Sequence, residues 1–166
     1  MADILGAKTV KAQTFADVVK GILKECNSAL DIGAFNVDTL NVWQKTFGKV
    51  VCATANKNGI EKNKADNTTF IEGLAGQPET EKAIKAFFGT DQVDFLFIYA
   101  GNVTSTMKQY YSLVRSGGVV AFQDSEGQTR YVDVQAKMES GELVGEPLKV
   151  EKFVSGKTTV LYAVKA

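Results

Sequence analysis

The stretch V-D-F-L-F-I-Y-A, residues 93–100, is the most hydrophobic of the chain. Its apolar side chains occupy both parities. A strand wetted on one face would alternate apolar and polar, so this run predicts a strand covered on both sides, at the centre of a sheet. Working outward, Pro78 opens the preceding helix, with Glu79 and Glu81 in its first turn and Gly89 at its end. After the run, Met107, Tyr110, Tyr111 and Val114 recur at helical spacing. They predict a helix over 103–114, ended by Arg115-Ser116-Gly117-Gly118 and followed by a strand over 119–123.

The same alternation continues in both directions. Upstream, Phe15, Val18, Val19, Ile22 and Leu23 form one helical face, begun by a T-x-x-D arrangement at Thr14 and Asp17. Strands are expected at 29–33, 49–55 and 68–75, with a helix over 38–47 and a polar loop over 56–67. Downstream, a weaker helix is expected over 128–139. Two strands, 148–154 and 158–164, then meet at a short turn over 155–157. Strands alternating with helices predict an α/β fold: a Rossmann-like, seven-stranded, mostly parallel sheet with a C-terminal antiparallel hairpin and helices on both faces. Residues 1–13 read as a lead-in and 14–166 as one domain. Sheets of this kind bind ligands beyond the carboxyl ends of their strands, where strand order reverses. That directs attention to 31–38, 54–58, 73–77, 99–104 and 123–127.

Composition narrows the chemistry. The chain has 166 residues, with 19 Lys plus Arg against 19 Asp plus Glu, and no histidine. A Ser-His-Asp triad, a Cys-His dyad and every His-containing metal site are therefore excluded. The charge balance gives no reason to expect a nucleic-acid partner, and Lys57, Lys62 and Lys64 lack interleaved aromatics. The two cysteines, Cys26 and Cys52, sit in apolar stretches and read as free thiols of a reduced, cytoplasmic compartment. No run is long and apolar enough to predict a membrane span, and residues 1–11 lack the apolar core of a signal peptide.

Two phrases carry a family likeness. A-L-D-I-G-A-F at 29–35 is similar to the acidic-x-Gly opening of the cofactor loop in class I S-adenosylmethionine (SAM)-dependent methyltransferases. V-D-F-L-F-I-Y-A-G-N at 93–102, with the segment 110–122 that ends in G-G-V-V-A-F, resembles a stretch of small methyltransferases near the catechol-type and sugar-biosynthetic enzymes. The order of elements extends the resemblance over about 14–166. It implies SAM as cofactor and methyl transfer to a small molecule. Asp31, Gly33, Ala34 and Phe35 would form the cofactor loop, Thr54 and Asn56 would lie beside the ribose, and Gly73, Leu74 and Ala75 near the adenine. Tyr99 would complete the cofactor site, with Asn102, Gln123 and Asp124 around the acceptor.

Several positions depart from the family pattern. Phe35 and Val37 stand where small residues or glycine are usual. Cys52-Ala53-Thr54-Ala55-Asn56 offers no carboxylate for the ribose hydroxyls. Tyr99-Ala100-Gly101-Asn102 lacks the aspartate that holds a divalent cation in catechol-type relatives, so no metal is expected. These departures keep a second expectation open, a degenerate methyltransferase-fold protein with a binding or assembly role. Asp31 reads equally as a loop-capping carboxylate, and Asp124 as a helix cap. A small-molecule substrate or a protein partner, and a homo-oligomer, are both compatible with a chain of this size.

Overall fold

The computed structural model describes residues 9–33, 37–99, 102–124, 130–155 and 158–166. Its strands are β1 (Ser28–Ile32), β2 (Lys49–Thr54), β3 (Thr68–Glu72), β4 (Val93–Ile98), β5 (Val114–Asp124), β6 (Glu151–Ser155) and β7 (Thr158–Val164). The helices are α1 (Thr9–Leu23), α2 (Val37–Thr46), α3 (Pro78–Phe88), α4 (Val103–Tyr110) and α5 (Arg130–Ser140). The strands form one sheet in the order β3-β2-β1-β4-β5-β7-β6. Pairing is parallel from β3 to β5, and β7 runs antiparallel to both β5 and β6. The expected seven-stranded architecture is present, and β4 lies inside the sheet between β1 and β5 with all six of its residues buried.

Alternation along the strands sends side chains to two cores. Leu30, Ile32, Leu96 and Ile98 pack with Ile84 and Phe88 of α3, Met107 and Tyr110 of α4, and Val134 and Met138 of α5. Ala29, Cys52, Phe95 and Phe97 pack on the other side with Phe15 and Val19 of α1 and with Leu40 and Trp43 of α2. Trp43 organises this second core. Its ring contacts Phe15, Phe47, Phe95 and Phe97, with centroids between 4.9 and 6.4 Å.

Several boundaries differ from those read in the sequence, and the starts of α1 and β5 differ most. Helix α1 begins at Thr9, so Thr14 and Asp17 lie inside the helix and not at its cap. The segment 9–13 is rich in good helix formers, and these lengthen the helix past the apparent capping box. Strand β5 begins at Val114, so Gly117 and Gly118 lie within a strand and do not end a helix. The register of β4 with β5 shifts between Val93 and Phe95. Gly117 has φ 79°, and a Cβ on Gly118 would stand 2.9 Å from the Asp94 and Arg115 carbonyl oxygens. The pair of glycines lets an irregular strand press against β4.

That close approach frames a buried carboxylate. Asp94 is 3% exposed. It accepts hydrogen bonds from the backbone N–H groups of Asn27 (2.6 Å) and Ser28 (3.1 Å), and it pairs with the Arg115 guanidinium. One side chain thus ties the starts of β1, β4 and β5 together. Asp94→Ala leaves two amides and a guanidinium without their acceptor. Its expected cost is about 3 kcal/mol in urea unfolding, with Asp94→Asn costing less. A cost within about 0.5 kcal/mol of zero would mean that the network does not hold the strands.

Candidate functional site

The first three strands progress outward in one direction, and the chain then crosses back to place β4 on the far side of β1. At that reversal the connections leaving the carboxyl ends diverge, and a cleft forms between them. The structure has a cavity of about 210 Å3 there, lined by Ile32, Gly33, Ala53, Ala55, Gly73, Leu74, Ala75, Gly76, Asn102, Ser105 and Thr106. Small side chains and backbone dominate the lining, and no charged side chain is among these residues.

Each wall has a local cause. Gly33 follows β1 with φ 85°, a left-handed conformation that suits glycine, and its N–H donates to Ala53 O at 2.8 Å. Gly73 ends β3 earlier than the sequence predicts. Its φ is 155°, its N–H bonds Thr54 O at 2.8 Å, and a Cβ there would stand 2.3 Å from Thr80 Oγ1. The loop therefore presses against the start of α3. Opposite it, Asn102 caps α4, its side chain accepting from Ser105 N at 3.0 Å. The first turn of α4 presents Ser105 and Thr106 to the cavity.

Of the residues singled out in the sequence, Gly33, Gly73, Leu74, Ala75 and Asn102 come together around this cavity. Others do not line it. Thr54 and Asn56 are engaged locally: Thr54 Oγ1 accepts from Asn56 N, and Asn56 Oδ1 accepts from Asn58 N at the start of a 3-10 turn. Tyr99 packs with Phe97 in the α1/α2 core. Val37, which the family pattern would set close to the cofactor, opens α2 and packs in the same core. Gln123 is 5% exposed and its Oε1 has no partner among the described residues. Ala34, Phe35 and the side chain of Asp124 lie outside the described residues. The sequence points to Ile32, Ala55 and Gly76 only through the strand-end segments that contain them, and it misses Ala53, Ser105 and Thr106 altogether; the small size of these alanine, glycine and hydroxyl residues is what makes the cavity. Among the described residues, no group of three or more Cys, Asp or Glu is placed to hold a metal ion.

Asp31 is not among the residues that line the cavity. It pairs across the sheet with Cys52 and Phe97 and points toward the α1/α2 core, away from the cavity side of β1. It is 2% exposed and Oδ1 has no hydrogen-bond partner. Burial pushes its pKa up to about 7; the nearby Trp43 indole N–H opposes the rise, yet Nε1 falls short of hydrogen-bond geometry. Burial, with Asp31 adding to it, also raises the Cys52 thiol well above its ordinary value.

Comparison with solved structures gives close agreement in fold and little in sequence. A precorrin 8W decarboxylase from Methanobacterium thermoautotrophicum matches with TM-score 0.66 and 14% identity, over 100% of both chains. The chain has the class I methyltransferase fold. An O-methyltransferase family protein from Burkholderia thailandensis matches with TM-score 0.62 and 12% identity, over 95% of this chain and 57% of that one. MycE, a methyltransferase from the mycinamycin biosynthetic pathway whose structure holds Mg and SAH, matches with TM-score 0.65 and 13% identity, over 92% of this chain and 49% of its own. The chain thus spans only about half the length of the last two. No protein-family model matches the sequence, and no curated protein matches it either. Among the described residues, no helix is long and apolar enough to cross a membrane.

The Asp31 carboxyl gives a test with a definite sign. Folding raises its pKa, so the native state holds the proton more tightly than the unfolded chain between about pH 4 and pH 7. Its contribution to stability falls as pH rises through that window. Asp31→Asn is therefore expected to be more stable than the parent at pH 8, by on the order of 3 kcal/mol, with the difference shrinking toward pH 4. Chemical denaturation at a series of pH values reads this directly. A difference that does not vary with pH would show that Asp31 is ionised in the native state throughout.

Proposed function

We propose that this protein is a SAM-dependent methyltransferase acting on a small molecule. The carrying observation is the position and lining of the cavity. It lies at the strand-order reversal of a class I methyltransferase sheet, and it is walled by glycine, alanine and small hydroxyl residues. Such a lining admits a flat ligand close to backbone, where larger side chains would collide with it. The donor set fits the nucleoside part of SAM: an apolar floor from Ile32 and Ala53, backbone at Gly33 and Gly73–Gly76, and the first turn of α4. At about 210 Å3 the cavity falls below the roughly 300–1,000 Å3 usual for a small-molecule site. It therefore suits that part and not the whole cofactor.

Bound there, SAM supplies an electrophilic methyl group. The chain's own residues hold the nucleoside and exclude water from its apolar face. Methyl transfer depends mainly on in-line positioning of acceptor and methyl group, so the lack of histidine is no obstacle to it. The free thiols Cys26 and Cys52 suit a reducing compartment, and we place the protein in the cytoplasm.

Thermal unfolding with SAM or S-adenosylhomocysteine tests the reading. A ligand at a hundredfold excess over its Kd is expected to stabilise the protein by about 2.7 kcal/mol. Ala55→Trp places a bulky ring at an exposed position of the cavity wall. This variant is expected to keep the parent's own melting temperature and to lose the ligand-induced shift. No shift in the parent with either ligand, up to millimolar concentration, would sink the proposal.

A further inference from the structure

Helix α4 does two things at the cavity. Asn102, Thr106 and Tyr110 follow one another at intervals of four, so they share one face. Asn102 and Thr106 line the cavity. Tyr110, one turn further on, is fully buried, and its hydroxyl donates to Ala75 O at 2.8 Å. Ala75 belongs to the loop after β3, which forms the facing wall. The same helix thus supplies one wall and anchors the other.

The rest of the loop is tied near its ends. Gly73 N–H donates to Thr54 O, and Gln77 N–H donates to Leu74 O at 3.0 Å. Between these ties, the Tyr110 hydroxyl holds the Ala75 carbonyl from across the cleft. Burial and the nearby Glu81 carboxylate push the Tyr110 pKa up to about 12. The hydroxyl accordingly stays protonated, and a donor, through the neutral range.

We propose that Tyr110 is a positioning residue that sets the width of the ligand cavity by latching the loop 73–77 to α4. The proposal rests on the reading of this cavity as the SAM site, and it adds to that reading a residue that does not line the cavity. Tyr110→Phe keeps the ring in the core and removes only the hydroxyl. The matched control is Tyr111→Phe. Tyr111 follows directly in the chain, and its hydroxyl donates to Glu146, away from the loop.

Two readouts on the full chain test the latch: amide hydrogen exchange without ligand, and the Kd for S-adenosylhomocysteine. In Tyr110→Phe, exchange at Gly73 and Gln77, whose N–H groups bond Thr54 O and Leu74 O, is expected to quicken about fivefold, as for one lost neutral hydrogen bond, while β1 and β4 amides keep the parent's protection. The same variant is expected to bind S-adenosylhomocysteine about fivefold more weakly. Tyr111→Phe is expected to change neither. A merely structural loss would move sheet and loop amides together. Unchanged loop exchange in Tyr110→Phe overturns the latch. Faster loop exchange with unchanged affinity overturns its role in setting the cavity. A parent protein that binds neither SAM nor S-adenosylhomocysteine overturns the cofactor reading instead, and the exchange result then decides the latch alone.

Discussion

The sheet depends on how its two innermost acids are treated. Asp94 and Asp31 are both almost wholly buried, on adjacent strands β4 and β1. A buried carboxylate is tolerable when donors replace the water it loses, and it shifts toward its neutral form when they do not. Asp94 has the Asn27 and Ser28 amides and the Arg115 guanidinium. Asp31 has an incomplete approach from Trp43 and neighbours that are sulfur and aromatic. The first acid pins three strands at the amino end of the sheet. The second sits one residue before the cavity floor at Ile32 and two before the glycine of its wall. One end of the sheet is closed by a satisfied polar network, and the other keeps an electrostatic cost close to where the chain opens.

Much of the architecture is legible in the sequence because the core residues are so regular. The run at 93–100, apolar on both parities, reads as a strand covered on both sides, and helical spacing marks the elements around it. The site is less legible, and the reasons are physical. Glycine serves equally as a helix stop and as a bulge residue. The sequence alone thus reads Gly117-Gly118 as a terminator, whereas their role is to let β5 approach Asp94. Thr54 and Asn56 look like free polar groups at a strand end, but their oxygens are taken by the backbone within four residues. Ala53, Ala55 and Thr106 carry no motif at all. What they contribute is an absence of volume, which shows only when the strands and α4 are brought together.

The orientation of Asp31 shows that a motif does not by itself fix where a side chain points. Its place in the acidic-x-Gly phrase implies a direct part in the cofactor loop. Strand alternation is strict, however, and with Ile32 facing α3, α4 and α5, its neighbour must face α1 and α2. The motif survives in the backbone path at Gly33, whose φ of 85° turns the chain at the end of β1. The acid itself lies buried on the α1/α2 side of the strand, next to that turn.

The neutral cavity then bears on how a ligand would be held. With no charged side chain among its described lining residues, recognition falls to shape, apolar contact, backbone groups and the neutral polar side chains of Asn102, Ser105 and Thr106. Contacts of that kind are short-ranged and need the walls at a fixed separation. A rigid wall is harder to obtain from a loop than from a helix, because loop backbone has fewer fixed hydrogen bonds. Here the loop after β3 borrows its rigidity: its ends are tied to β2 and to its own turn, and its middle is tied to α4 through Tyr110. The side chain farthest from a ligand-binding appearance, a core tyrosine, is the one that joins the two walls.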